Sequence, residues 1–229
     1  MIVLALDTCL DACSAAVLRD ETVLAVLSEP MARGHQEALA PMVQAVMAEA
    51  GLGFDALDRI AVTTGPGSFT GLRVGLAFAK GLALATAKPA VGVGVLEALA
   101  RSAAPSGFTA AAVDAKRGQV YLQVFIDGAP AMAPDALELP TAAARLAELW
   151  TGAPAVLIGS GAPLLADVLP KSRVRARTAP DPLAIAAAGV AARAPFPPLR
   201  PLYLRAPDAR PPQPRPRSQA GAKPTLRRP

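Results

Sequence analysis

The chain has 229 residues and a formal charge of +5, from 23 Lys plus Arg against 18 Asp plus Glu. That charge sits at one end: residues 207–229 hold six cations and one acid, so residues 1–206 balance at 17 of each sign. With 52% hydrophobic but only 4% aromatic residues, the body builds its core from Ala, Val and Leu, and collagenous, wholly disordered and disulfide-dense classes are excluded.

Residues 2–6 form a continuous apolar run suited to a central strand, and 13–18 and 22–27 flank a tight turn at Arg19-Asp20-Glu21. A helix is predicted over 34–50, with Leu39, Met42, Val43, Val46, Met47 and Ala50 on one stripe, ended by Gly51 and Gly53. A buried strand over 58–64 leads into the loop Gly65-Pro66-Gly67-Ser68-Phe69-Thr70, then a helix over 71–86, a strand over 89–93 and a helix over 96–104. At Ala104-Pro105-Ser106-Gly107 the pattern restarts. Strands over 109–114 and 119–126 read as a hairpin around Ala115-Lys116-Arg117-Gly118, and Asp127-Gly128 turns into a further short strand. A helix over 141–150, a strand over 155–158 and helices near 163–168 and 182–192 complete the body. Each half opens with a β-meander and continues as α/β, which predicts two related lobes, 1–104 and 105–206. The last 23 residues, seven of them proline, read as a disordered Pro/Arg-rich tail, 207–229. Lys80 and Lys88 interrupt the longest apolar run before it reaches a membrane span of roughly 18 residues, and the first residues lack a basic n-region, so a cytoplasmic protein is expected.

Three features can carry chemistry. Asp7-Thr8 ends the first strand, where a carboxylate and a hydroxyl can meet a metal-bound phosphate; an aspartate there is equally an ordinary turn former. In residues 65–75, glycines ahead of a helix free backbone N–H groups for an anion, with Gly67 and Ser68 the nucleotide candidates beside Asp7 and Thr8. No Gly-Lys-Ser/Thr follows, so this is not a Walker loop. The spacing Gly67, Gly71, Gly75, Ala79, Ala83 leaves one stripe of the helix nearly bare, and the rest of its surface is apolar enough to suggest a partner helix. His35 is the only histidine and Leu39 stands four residues on, so a multi-histidine metal centre is excluded and a polar helix-start residue near an interface is the expected role. Cys9 and Cys13, a lone CxxxC pair, read as two small half-buried thiols rather than a zinc site.

Together these residues resemble the TsaB (YeaZ) family, subunits needed to form threonylcarbamoyladenosine in tRNA. The resemblance rests on Leu6-Asp7-Thr8 with residues 12–17, His35 with Glu37 and Pro41-Met42, residues 65–75 with Ala79-Lys80-Gly81-Leu82, residues 114–121, and Pro201-Leu202-Tyr203-Leu204-Arg205. It implies a two-lobed actin-like ATPase fold of the Hsp70 and sugar-kinase (ASKHA) class with ribonuclease H-like lobes. It also implies a non-catalytic dimerisation or scaffold subunit that pairs with its paralogue TsaD, or with a second copy when alone, and is joined by the ATPase TsaE. The substrate tRNA is reached through the complex, no cofactor belongs to this chain alone, and ATP or ADP is left to the complex interface. The implied partner-facing residues are His35, Leu39, Met42, Val43 and Val46 of the first helix, with Gly67, Phe69, Thr70, Gly71, Arg73, Val74, Gly75, Phe78 and Ala79 of the second. Two other readings stay open: a stand-alone ATPase or small kinase of the same fold, motivated by Asp7-Thr8, and a glycoprotease-type metallopeptidase, for which no catalytic centre is visible.

Overall fold

The computed structural model describes residues 1–103 and 107–205. The expected lobe boundary at 104/105 and the expected disordered tail therefore lie outside the described residues.

The first sheet contains β1 (Ile2–Asp7), β2 (Ala12–Arg19), β3 (Thr22–Pro30), β4 (Arg59–Thr63) and β5 (Ala90–Val93) in the order β3-β2-β1-β4-β5. β1 pairs antiparallel with β2 and parallel with β4, and β4 pairs parallel with β5. The continuous apolar run of β1 suits this central place, because both of its faces are covered. Leu4 and Leu6 pack with α1 (His35–Glu49) and α2 (Phe69–Thr86) on one side. Val3 and Ala5 pack with Ala98 of α3 (Val95–Arg101) and with α5 (Pro182–Ala191) on the other.

The second sheet contains β6 (Phe108–Lys116), β7 (Gln119–Ile126), β8 (Ala129–Pro130), β9 (Asp135–Glu138), β10 (Ala155–Ile158) and β11 (Arg173–Arg175), in the order β11-β10-β6-β7-β8 with β9 also on β7. β6 pairs antiparallel with β7 and parallel with β10, and β10 pairs parallel with β11. This repeats the first sheet strand for strand, its third strand broken into β8 and β9. One face contributes Ala111, Val113 and Ile158 to the core shared with α1, α2 and α3. The other buries Ala110, Ala112, Leu122 and Leu157 against α4 (Leu139–Leu149) and the 3-10 turn Ala162–Val168. The duplicated meander-plus-crossover order is that of the actin-like ATPase class.

Four local differences from the sequence reading have physical causes. β9 and β11 are short strands rich in charged residues, with little apolar alternation to reveal them. The segment Ala162–Val168, expected as a helix, is 3-10, a short turn with Pro at its start. Helix α2 begins at Phe69 rather than 71 because the Ser68 hydroxyl caps the Gly71 N–H at 3.0 Å. Helix α5, expected with the second lobe, packs on the first sheet: Ile185 and Ala186 fill the face of Val3, Ala5 and Ala61 that α1 and α2 leave open. Among the described residues no helix is long and apolar enough to cross a membrane.

Candidate functional site

The turn between β1 and β2 is closed by its own chain. Asp7 and Thr8 are fully buried. Asp7 Oδ1 accepts from the Cys9 N–H at 3.0 Å and from the Thr63 hydroxyl at 2.6 Å, whereas Oδ2 has no partner. Burial pushes the Asp7 carboxyl above its ordinary range against the opposing pull of the Thr63 hydroxyl and the Cys9 N–H. Its cross-strand partner Ser14 is also buried with an unpartnered hydroxyl. Thr8 donates its hydroxyl to the Gly71 carbonyl at 2.7 Å, and the Cys9 carbonyl accepts from the Ser68 N–H at 2.7 Å. Helix α2 thus sits directly on the turn.

This contact explains the glycine stripe and corrects its expected role. A Cβ at Gly71 would collide with the Thr8 carbonyl, one at Gly67 with the Cys9 carbonyl, and one at Gly75 would lie 2.6 Å from Thr8 Oγ1. The bare stripe faces the first turn of its own chain, not a partner. Leu39, Met42, Val43, Val46 and Ala79 are likewise buried in the chain's own core. His35 is buried too, its Nε2–H donating to the Leu10 carbonyl at 3.1 Å, which fastens α1 to the same turn, and it lines a surface cleft with Phe69, Thr70, Gly71 and Val74. Periodicity reported which residues share a face, but not what covers it.

What remains outward on α2 is Phe69, Thr70 and Arg73, followed by Ala77, Lys80, Gly81, Leu84 and Ala85, with Val74 and Phe78 half-buried. Leu84 is 85% exposed, and a Cβ at Gly81 would meet nothing within 4 Å. The adjacent face of α1 presents Pro41, Gln44, Ala45 and Ala48. At the α2 start, Phe69 stacks on Tyr203 at 5.7 Å, while Arg73 lies over the Phe69 ring at 3.7 Å and donates to the Tyr203 hydroxyl at 3.0 Å. The Leu202 N–H reaches the Thr64 carbonyl at 2.8 Å and Arg205 reaches the Ala115 carbonyl at 3.1 Å, so the last described residues strap the α2 loop to the β6–β7 hairpin. Sequence patterning does not reveal Thr63 or the Tyr203 stack, because both act across long sequence separations.

A groove between the sheets is lined by Cys9, Asp11 and Ser68 on one side and Asp114, Lys116 and Ser160 on the other. Lys116 donates to Asp114 through its backbone and its ammonium, both at 2.8 Å, which holds the Asp114 carboxyl below its ordinary range. Of the four nucleotide candidates, Asp7 and Thr8 are sealed beneath the first turn, whereas Gly67 and Ser68 line this groove, the Ser68 hydroxyl accepting from the Gly71 N–H. Both cysteines are free and buried; burial raises both thiols, Cys13 to about 11. Among the described residues no group of three or more His, Cys, Asp or Glu is placed to hold a metal ion.

Comparison with known proteins gives these features a context. A family model described as TsaD, tRNA N6-adenosine threonylcarbamoyltransferase, matches residues 25–148. The tRNA threonylcarbamoyladenosine biosynthesis protein TsaB of Escherichia coli is 41% identical over 124 residues, 53% of this chain and 53% of that protein. The match thus spans about half the length of that relative. An uncharacterised protein of Mycobacterium tuberculosis is 38% identical over 212 residues, 91% of this chain and 94% of that one. The solved structure of YeaZ from Pseudomonas aeruginosa superposes with a TM-score of 0.74 at 29% identity, covering 89% of this chain and 99% of that chain.

Proposed function

The chain belongs to the TsaB (YeaZ) family, and from that premise we propose that it is a non-catalytic subunit in the formation of threonylcarbamoyladenosine in tRNA, acting by presenting the outer face of α1 and α2 to a TsaD-type paralogue. The observation that carries this reading is that face: Leu84 stands 85% exposed at its far end, Val74 and Phe78 are half-buried along it, and Gly81 leaves room for close approach. An apolar face of this kind on a soluble helix pair suits a partner helix pair. The match of residues 25–148 to the TsaD family model supports a paralogue as that partner, since two related chains can pair about a pseudo-two-fold axis, as two copies of this chain can when the paralogue is absent.

The non-catalytic assignment draws support from the state of two candidate groups. Asp7 is buried beneath α2, and His35 is committed to the Leu10 carbonyl. We place the ATPase step of the pathway on a separate TsaE-type subunit, and any ATP or ADP at the junction of the subunits. A stand-alone ATPase would need Asp7 open to solvent.

Leu84→Arg tests the interface. Co-elution with the TsaD-type paralogue should be lost at micromolar concentration, modification of tRNA by the reconstituted subunits should fall with it, and thermal stability should stay within about 1 °C because Leu84 is outside the core. Unchanged co-elution and modification would remove α2 from the interface.

A further inference from the structure

The body of the chain is electrically balanced, yet Lys171, Arg173, Arg175 and Arg177 occupy alternate positions with no acid between them. Arg173 and Arg175 lie in β11, the edge strand of the second sheet, in register with Val156 and Ile158 of β10. Those two residues belong to the core shared with the first lobe, so both arginines lie on that face of the sheet. Arg175 is half-buried and fixed, its guanidinium donating at 2.7 Å to the carbonyl of Ala103, just past the end of α3. Lys171, Arg173 and Arg177 are exposed, and among the described residues no ion pair engages them.

We infer that this basic edge is a contact surface for the sugar-phosphate backbone of RNA. Within β11 the alternate residues Arg173 and Arg175 are spaced by about 6.6 Å, while Lys171 stands in the turn before the strand and Arg177 beyond its end, so the cations cluster around one sheet edge, an arrangement that suits a polyanionic backbone. An edge strand with charged side chains also resists pairing with another sheet edge, but that needs charge of either sign and does not call for a run of cations along the sequence. The choice of RNA rests on the proposed role in tRNA modification; the charge row does not depend on it. The surface is distinct from the α1–α2 face: Lys171 and Arg173 stand at the edge of the second sheet, and Arg177 lines a cleft with Ser28 of β3 and with Asp11 and Asp181, so the subunit can meet paralogue and RNA together.

The test uses the full chain carrying Arg173→Glu with Arg177→Glu, and a control carrying Arg19→Glu with Arg193→Glu, exposed positions in other regions that give the same change in net charge. Binding to an unmodified tRNA transcript is followed by fluorescence anisotropy over a salt series. The edge variant should bind about ten-fold more weakly at 0.1 M salt and flatten the log–log salt slope by about 1.5, the expectation for two lost phosphate contacts, while the control moves far less. Equal effects in the two variants, or no effect in either, overturn the inference. So does competition by polyglutamate that matches RNA at equal charge, which would assign the edge to an acidic protein. Co-elution of the edge variant with the TsaD-type paralogue is measured alongside. Retained pairing with lost RNA affinity upholds both readings, and lost pairing with retained RNA affinity refutes the edge assignment.

Discussion

The same substitution made twice in helix α2 should have opposite signs. At Gly81, alanine adds a methyl group to open space and removes the helix penalty of glycine, a gain of about 1 kcal/mol. At Gly75 the same gain is available, but the new Cβ would lie 2.6 Å from Thr8 Oγ1 and 3.5 Å from Val62 Cγ2. Relieving that overlap costs about 1–3 kcal/mol of overpacking, and moving Thr8 breaks its 2.7 Å hydrogen bond to the Gly71 carbonyl, worth about 1 kcal/mol more. The balance is a loss of roughly 1–3 kcal/mol. At about 2–4 °C per kcal/mol for a chain of this size, Gly81→Ala should raise Tm by about 2–4 °C and Gly75→Ala should lower it by about 2–12 °C. Differential scanning fluorimetry of the two variants beside the wild type reads both shifts at once. If Gly75→Ala were as stable as Gly81→Ala, the claim that the stripe packs on the first turn would be wrong.

Asp7→Asn should flatten the dependence of stability on pH. Burial raises the folded pKa of Asp7 above its unfolded value, so the folded state holds the proton more tightly; the associated stability is complete below pH about 4 and is lost as pH rises through the folded pKa. The asparagine variant, neutral throughout, should match or exceed the wild-type Tm at pH 7.5, and a larger deficit there than at pH 5 would mean that an ionised Asp7 stabilises the fold. Arg59→Met should cost about 3 kcal/mol, or roughly 6–12 °C, because buried Arg59 donates to the carbonyls of Gly189 and Ala192 at the end of α5 and lies over the Phe196 ring at 4.6 Å. Hydrogen exchange should accelerate first in α5, and uniform acceleration across both sheets would count against this local role.

The two sheets were legible because each repeats a pattern that hydrophobic periodicity can read: a β-meander and then alternating helices and strands. The placement of α5 was not, since its ten residues are apolar on every side and carry no sign of which sheet they cover. The site was misread at one definite point. A row of glycines shows that some backbone must approach closely, and the sequence carries no mark that distinguishes a partner's helix from the chain's own first turn. Here the Thr8 and Cys9 carbonyls fill that space. The consequence reaches function, because a glycine-lined helix start above an aspartate is also what a phosphate would need. With α2 seated on the turn, the Ser68 and Gly71 N–H groups are engaged within the chain, and the proposed recognition surface is the side of α2 that the stripe does not occupy. On the proposed interface, the separation between Gly75 and Leu84 is the separation between holding this subunit together and holding it to its partner.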